Sequence, residues 1–335
     1  MKYRRLGKAD LELSEIAFGT GDNGGGIVYG SSEHQRALVA RALELGVNTF
    51  DCSPDYGKGL GEANLGRVLR ELGADPIVMT KVEIMPEEFG RMGDKVRESV
   101  RDSLMRLGRT HVDVFMLHNP IRQAREPHIR QWTPLTPADV LGDVLPAMVA
   151  LRDAGVVRHL GLACEAAEPS AVRTVVASRE FAMINTWFNL ANPSAATAVD
   201  GLVERDRYHG LFDLAKEYEL GVAVIRPLAG GALPGPILER SHAGRHDLSR
   251  GYLRDQPEVF EPELDRGRRF AFLHRPGRTI SEAAVRYILA TPPVTTVVGG
   301  FSDVTQLEEA ARAVENGPLS AADTAAVAEV FAKGF

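Results

Sequence analysis

The chain has 335 residues, of which 44% are hydrophobic and 25% are charged, and its formal net charge is −6. This composition is typical of a folded, water-soluble chain, and the acidic charge excludes the electrostatic footprint of a nucleic-acid-binding protein. The segment Met1 to Glu15 lacks the apolar core of a signal peptide. The apolar runs stay well below the roughly 18 residues of a membrane span. The sequence therefore predicts a cytoplasmic protein with no membrane and no nucleic-acid partner.

Short runs rich in β-branched residues alternate with longer amphipathic runs along the chain. The predicted strands are Glu15–Gly19, Asn48–Cys52, Ile77–Lys81, Val112–His118, Arg158–Ala163, Ala182–Trp187, Gly221–Pro227 and Thr295–Gly299. The predicted helices between and after them are Glu33–Leu45, Glu62–Leu72, Asp94–Leu107, Pro137–Ala154, Pro169–Ser178, Leu211–Tyr218, Ser281–Ala290 and Val304–Glu315. Leu45-Gly46 is typical of a helix end, and Thr279 is typical of a helix N-cap.

The alternation decides the fold class. Strands that are apolar on both faces are typical of a parallel sheet covered by helices. Eight strand–helix units in series favour an α/β fold closed as a (β/α)₈ TIM barrel over an open doubly wound sheet. No linker-like composition interrupts the chain, so residues 1–335 are predicted to form a single domain. Cys52 and Cys164 are the only cysteines, and they give no disulfide framework.

Several predicted segments lie outside the repeat. Long connections follow the fourth and seventh strands, and in a barrel they would lie over the carboxyl end, where active sites form. These segments are an N-terminal hairpin (Lys2–Leu6 and Leu11–Leu13), the two connections (Asn119–Thr136 and Leu228–Arg278), a helix within the second connection (Glu263–Leu273) and a final helix (Ala321–Ala332).

Polar residues stand at the ends of three consecutive predicted strands. Asp51 ends the second strand, Lys81 the third and His118 the fourth, and Tyr56 follows Asp51 by five residues. Consecutive strand ends are neighbours around the rim of a barrel, so the four side chains are predicted to converge.

This set of residues suits proton transfer without a metal. A tyrosine with a pKa near ~10 is a poor acid or base at neutral pH until its phenolate is stabilised. A neighbouring Lys81 ammonium is expected to bring the pKa of Tyr56 down, and Asp51 is expected to keep Lys81 charged and oriented. His118 can hydrogen-bond either the phenol or a substrate oxygen.

The segment Asn48-Thr-Phe-Asp-Cys-Ser-Pro-Asp-Tyr-Gly, followed by Gly61-Glu62, resembles the signature of the aldo-keto reductase family. Val78-Met-Thr-Lys81 and Asp113-Val-Phe-Met-Leu-His118 resemble the next two blocks of that family, in the same order. The resemblance runs from about Tyr3 to about Glu315. It implies that Tyr56 is the general acid/base, that Lys81 and Asp51 tune it, and that His118 orients a carbonyl while a nicotinamide cofactor supplies hydride.

The resemblance also implies a cofactor site, although the nicotinamide contacts depart from the family pattern. Ala163 and Cys164 stand where the family has Ser-Asn, and Asn185 stands where it has Gln. The stacking tyrosine is replaced by Ile225 or Arg226. The implied cofactor contacts are Gly19, Thr20, Cys164, Asn185, Arg226, Pro227, Leu228, Gly230, Gly300, Ser302, Gln306 and Glu309.

The cofactor is predicted to be NADP or NAD. Ser302, followed by Asp303, replaces the basic residue that commonly contacts the 2′-phosphate of NADP. An acid there would repel a phosphate but could accept hydrogen bonds from a free ribose diol, which keeps NAD as an equal candidate.

The sequence gives the substrate only as a class. Asn192-Pro-Ser and the run from Arg226 to Leu233 resemble the branch that contains aldose 1-dehydrogenases and pyridoxal dehydrogenases. This implies a small, sugar-like carbonyl, alcohol or hemiacetal, and Trp132 and Trp187 are candidate walls of its pocket. Two alternatives stay open: a non-catalytic homologue that binds cofactor but acts through a partner, and a redox-neutral enzyme such as an epimerase.

Two local patterns are not interpreted as sites. Gly19-Thr-Gly-Asp-Asn-Gly24 matches G-x-G-x-x-G, but its third glycine does not open a helix as a Rossmann loop requires. His242 and His246 are spaced like helical zinc ligands but lie in a glycine-containing stretch without an evident acidic ligand. No metal is predicted.

Overall fold

The computed structural model describes residues 1–125, 133–203, 207–234 and 257–335. A two-stranded antiparallel hairpin of β1 (Tyr3–Arg5) and β2 (Glu12–Ser14) comes first. The next eight strands form a closed parallel barrel in which β10 pairs with β3. They are β3 (Ile16–Gly19), β4 (Thr49–Asp51), β5 (Ile77–Val82), β6 (Val112–Leu117), β7 (Val157–Ala163), β8 (Phe181–Trp187), β9 (Gly221–Ile225) and β10 (Val294–Gly300). The predicted (β/α)₈ barrel with its N-terminal hairpin is confirmed.

Helices cover the outside of the barrel, and most lie within a few residues of their predicted bounds. They are α1 (Gly26–Tyr29), α2 (Ser32–Glu44), α3 (Leu60–Leu72), α4 (Met92–Leu107), α5 (Pro137–Asp139), α6 (Leu145–Asp153), α7 (Pro169–Val176), α8 (Leu211–Glu217), α9 (Pro257–Arg268), α10 (Ile280–Leu289), α11 (Val304–Asn316) and α12 (Ala321–Ala332). The predicted boundary signals are used as expected: Thr279 accepts the Glu282 N–H at 3.0 Å to start α10, and Gly46 has a left-handed φ of 83° just beyond α2.

Three helical features differ from the prediction. The helix predicted over Glu263–Leu273 is described over Pro257–Arg268, so it includes residues before its predicted start and ends before its predicted end. The helix predicted over Pro137–Ala154 contains a π-helical stretch, Val140–Val144. Pro146 lies next to this stretch, and it has no N–H for a regular i−4 bond. The loop after β3 contains the additional short helix α1.

The two ends of the barrel are built differently. Leu6, Leu11 and Leu13 of the hairpin region pack with Met79 and Met116 of the barrel interior. This apolar plug closes the amino end, so the polar strand ends lie at the opposite, carboxyl end. Among the described residues, no helix is long and apolar enough to cross a membrane.

Candidate active site

Four polar side chains meet at the carboxyl end of the barrel. Asp51 is the last residue of β4, Lys81 lies near the end of β5, and His118 directly follows β6. Because these strands pair in parallel with their ends at one rim, the three side chains are brought together. Tyr56 approaches from the 3₁₀ turn after β4. These four residues, which the sequence predicted to converge, are called the Tyr56 cluster below.

Backbone geometry fixes the position of Tyr56. Gly57, Lys58 and Gly59 follow it with left-handed φ angles of 58°, 55° and 90°, a run that favours glycine because it carries no Cβ. The Gly57 N–H donates to the Asp22 carboxylate at 3.1 Å, which ties this turn to the loop after β3. The turn therefore holds the phenol over the end of β5.

Lys81 uses all of its donors within the barrel. Its Nζ donates to Asp51 Oδ1 at 2.8 Å, to the Cys52 backbone carbonyl at 2.8 Å and to Tyr56 Oη at 3.3 Å. An ammonium has three N–H donors, so none is left for a substrate. Because Tyr56 Oη accepts one of these bonds, its own hydrogen is free to point into the pocket.

Burial and charge act in opposite directions on Lys81 and Tyr56. Burial works against the ammonium, but the Asp51 carboxylate outweighs it and raises the pKa of Lys81 above its ordinary value. Burial raises the pKa of Tyr56, and Lys81 lowers it only in part, so that the net pKa of Tyr56 lies above its ordinary value. The prediction that Lys81 brings this pKa down is therefore correct for the effect of Lys81 and wrong for the net value, because burial dominates. Tyr56 is a neutral hydroxyl at neutral pH.

His118 has a carboxylate partner that the sequence analysis missed. Its Nδ1 lies 3.3 Å from Asp55 Oδ2, and its ring makes an edge contact with Tyr56 at a centroid distance of 6.3 Å. Burial works against the Asp55 charge, but the hydrogen bond from His118 outweighs it and holds the pKa of Asp55 below its ordinary value. Of the two roles considered for His118, binding the phenol is not the one seen here.

Glu83 was also missed, although it follows Lys81 by two residues at the same rim. One donor atom each of Asp55, Glu83 and His118 lies within 4.8 Å of the other two. Burial, followed by the Asp55 charge, raises the pKa of Glu83 from 4.5 to about 7. The spacing would admit a divalent cation, but His118 Nδ1 is already bonded to Asp55. The rule that located the Tyr56 cluster, polar residues at strand ends, would also have found Asp55 and Glu83.

The nicotinamide contacts expected on β7 and β8 lie side by side. Ala163 is opposite Asn185 in the strand register. The Asn185 side-chain oxygen accepts the Cys164 N–H at 3.3 Å, while its side-chain nitrogen has no hydrogen-bond partner within the described ranges. Asn185 is 3% exposed, and an open amide donor on a buried residue fits the carboxamide oxygen of a nicotinamide.

Arg226 lies between Trp187 and the helix α9. Its guanidinium is 4.0 Å from the centre of the Trp187 ring, and its Nη2 is 2.5 Å from Glu263 Oε2. Trp187 is 1% exposed. The tryptophan that was expected to wall the substrate pocket therefore lies beneath Arg226, and a direct contact with substrate would require Arg226 to move.

The backbone after β9 forms a concave turn. Arg226, Ala229, Gly230 and Gly231 have left-handed φ angles of 52°, 51°, 65° and 100°. Within the part of the chain that the structure describes, the N–H groups of Leu228 and Gly230 have no acceptor. Successive N–H groups in such a turn bind anions, so this segment fits the diphosphate of a dinucleotide.

Asp303, after β10, has a structural role that the sequence analysis did not predict. Asp303 is the N-cap of α11, and its Oδ1 accepts the Gln306 N–H at 3.1 Å. One oxygen of its carboxylate is thus bound to the helix start, and the expected contact with a ribose diol stays a prediction. The Ser302 N–H donates to Gln306 Oε1 at 2.9 Å, and the Ser302 carbonyl lies 2.8 Å from His34 Nε2. His34 is a basic neighbour that the sequence analysis did not place here.

The remaining residues predicted to contact cofactor or substrate lie as follows. Thr20 bonds the Asp51 carbonyl through its backbone N–H at 2.9 Å. Gly300 closely approaches the loop after β3, because a Cβ on Gly24 would lie 2.6 Å from the Gly300 carbonyl carbon. Glu309 accepts the Thr279 hydroxyl at 2.5 Å. Trp132, His242 and His246 lie outside the described residues.

Comparisons with known proteins agree with this architecture. The model of the Aldo/keto reductase family matches residues 15–332. The chain is similar in fold to the aldo-keto reductase AKR11C1 from Bacillus halodurans, with a TM-score of 0.71, 24% identity and coverage of 99% of this chain and 96% of that one.

Two relatives of similar identity are named for different roles, one as an enzyme and one as a channel subunit. L-galactose dehydrogenase from Arabidopsis thaliana is 28% identical, with 94% of this chain and 88% of the relative covered. A putative voltage-gated potassium channel subunit beta from Schizosaccharomyces pombe is also 28% identical, with 93% of this chain and 88% of the relative covered.

Proposed function

The chain belongs to the aldo/keto reductase family, a family of oxidoreductases, and from its rim geometry we propose an NAD(P)-dependent enzyme that interconverts a carbonyl with an alcohol or hemiacetal. Its substrate is a small, sugar-like molecule. The observation that carries this proposal is the arrangement of Asp51, Lys81 and Tyr56. An ammonium held by a buried carboxylate donates to a phenol whose own hydrogen remains free.

Tyr56 is the general acid/base. In reduction, its neutral hydroxyl gives a proton to the developing alkoxide oxygen, and Lys81 stabilises the phenolate left behind. In oxidation, the phenolate takes the proton back from the alcohol. Because Asp51 keeps Lys81 charged, both directions use the same side chains. His118 lies beside Tyr56 and orients the same substrate oxygen.

The residues around the rim suit a nicotinamide dinucleotide, which supplies or accepts the hydride when bound. Asn185 offers an amide donor to the carboxamide, and Leu228 and Gly230 offer backbone N–H groups to the diphosphate. Ser302 and Gln306 lie where the resemblance implies adenosine contacts. These contacts keep both NADP and NAD as candidates.

The substrate class is a neutral, polyhydroxylated carbonyl compound. Asp55 and Glu83 present carboxylate oxygens beside His118. Such oxygens accept charge-assisted hydrogen bonds from sugar hydroxyls and repel anionic groups. The similarity to L-galactose dehydrogenase supports the same class. The complete set of Lys81 contacts favours catalysis over the non-catalytic alternative.

The test is a titration of the purified chain with NADPH and, separately, NADH, followed by nicotinamide fluorescence. Addition of a neutral aldose or a small dicarbonyl to the bound complex is expected to oxidise the cofactor, and the nicotinamide fluorescence is then expected to decrease. Tyr56→Phe is the matched control, since it keeps the ring and removes only the hydroxyl. We expect it to bind cofactor normally and to turn over at least ~100-fold more slowly. Failure of both cofactors to bind at submillimolar concentration would contradict the proposal.

A further inference from the structure

The side chain behind His118 is a carboxylate held in place by its own loop. The Ser53 hydroxyl donates to Asp55 Oδ2 at 3.0 Å, and the Asp55 N–H donates to Ser53 Oγ at 3.3 Å. The same Oδ2 lies 3.3 Å from His118 Nδ1. The side chains of His118 and Asp55 are 11% and 45% exposed, so a largely buried ring meets a carboxylate that is partly in solvent.

An acceptor at this position determines where the imidazole carries its proton. A carboxylate can only accept hydrogen bonds, so His118 Nδ1 must be the protonated nitrogen. His118 Nε2 has no partner among the residues that the structure describes. When the ring is neutral, Nε2 is therefore a bare acceptor, and it becomes a donor only when the ring is an imidazolium.

The two directions of the reaction need different states of Nε2. A carbonyl oxygen can only accept a hydrogen bond, so His118 can hold it only as imidazolium. An alcohol oxygen can donate its hydrogen to the bare Nε2 of the neutral ring. Taking the proposed function as its basis, we propose that Asp55 is a positioning residue that keeps the proton on His118 Nδ1 and thereby makes carbonyl binding depend on a charged His118.

Other charged groups lie around His118 but do not form hydrogen bonds with it. Glu83 comes from the loop after β5, and its charge interacts with those of both Asp55 and His118. Glu165, after β7, adds a further negative charge near Glu83. Lys81 is the nearby positive charge, and it helps to lower the pKa of Asp55. Its N–H donors are directed to Asp51, Cys52 and Tyr56, so it does not bond His118. Within the described residues, Asp55 alone is at hydrogen-bond distance from the ring.

A direct test measures the tautomer without any catalysis. Two-bond ¹H–¹⁵N correlation spectra of the full-length protein, without substrate, report which imidazole nitrogen carries the proton. The His118 signals are assigned by comparison with His118→Gln. At a pH where the ring is neutral, we expect His118 to be protonated on Nδ1 in the wild type. In Asp55→Leu we expect a mixture of tautomers, and a proton on Nε2 in the wild type would overturn the proposal.

The kinetic test compares pH profiles of kcat/KM in both directions at saturating cofactor. Asp55→Asn keeps an acceptor oxygen near Nδ1 but removes the charge. We expect carbonyl reduction to be lost at a lower pH in Asp55→Asn, because the variant removes the negative charge next to the ring. The ratio of reduction to oxidation measured at one pH is expected to fall as well, and this ratio cancels a change in substrate affinity that is common to both directions.

Glu83→Gln is the matched charge control, because it removes a nearby carboxylate that does not bond the ring. It is expected to shift the profile less than Asp55→Asn and to leave the tautomer unchanged. Identical profiles for wild type and Asp55→Asn would overturn the proposal. If no hydride transfer is found with any substrate, the proposed function fails, and the tautomer spectra still decide the role of Asp55.

Discussion

Lys81 donates a hydrogen bond to the hydroxyl oxygen of Tyr56 at 3.3 Å. This contact places the ammonium beside the phenol and leaves the phenolic hydrogen for the substrate. The lysine therefore acts on the reaction only through Tyr56.

Lys81→Met is expected to lower kcat by about 100- to 1,000-fold, because the phenolate of Tyr56 loses its stabilising charge. Cofactor affinity is expected to stay within a few-fold of wild type, since Lys81 has no free donor for it. Stopped-flow hydride transfer and cofactor titration measure the two quantities separately. A variant that keeps the wild-type kcat would contradict the proton route through Tyr56.

The same variant tests the buried ion pair. Lys81 and Asp51 are 1% and 3% exposed, so Lys81→Met leaves a carboxylate without its partner and is expected to cost about 3–5 kcal/mol of unfolding free energy. Adding Asp51→Asn removes that charge. The double variant is expected to recover most of the stability in urea unfolding but none of the activity, which separates the structural role from the catalytic one.

The fold and the Tyr56 cluster could be predicted because they depend on local patterns. Apolar runs define the strands, and a strand end defines the rim, so Asp51 and Lys81 were placed from sequence alone. The contacts made by individual polar atoms could not be predicted in this way. Asp303 caps a helix, and Trp187 lies beneath Arg226, because these partners come from distant segments or compete with a local backbone donor.

Glu263→Gln is expected to destabilise the protein by on the order of 3 kcal/mol, because it removes the carboxylate charge from a buried ion pair with Arg226. The side chains of Arg226 and Glu263 are 10% and 3% exposed. The matched control is Glu217→Gln, in a pair with Arg173 whose side chains are 51% and 50% exposed. An exposed pair of this kind is worth about 1 kcal/mol or less. Equal losses in urea unfolding would show that Arg226 does not depend on Glu263.

Glu83 is expected to make the protein less stable as the pH rises. Its pKa is raised from 4.5 to about 7 in the folded state, so between these values the native state binds more protons than the unfolded state. The free energy of unfolding then falls with rising pH. The loss attributable to Glu83 is on the order of 2–3 kcal/mol and is complete above the folded pKa.

Glu83→Gln isolates this effect from other titrating groups. We expect the variant to match wild type below the unfolded-state pKa, near about pH 4, and to be more stable near about pH 8, where the wild-type carboxylate is charged. Urea unfolding at the two pH values is the measurement. A stability difference that is the same at both values would mean that the Glu83 charge is not the cause.

Ser302→Arg is expected to shift cofactor preference toward NADPH. The resemblance implies that Ser302 stands where a basic residue commonly contacts the 2′-phosphate. The Ser302 backbone N–H is directed to Gln306, and its side chain offers a 2′-phosphate only a neutral hydroxyl. A charge-assisted hydrogen bond worth about 1.5–3 kcal/mol would tighten NADPH binding by roughly 10- to 100-fold and leave NADH nearly unchanged. Ser302→Gln, which adds length without charge, is the control. Because the gain is electrostatic, it should shrink as salt is raised; an equal gain for both cofactors, independent of salt, would place the 2′-phosphate away from residue 302.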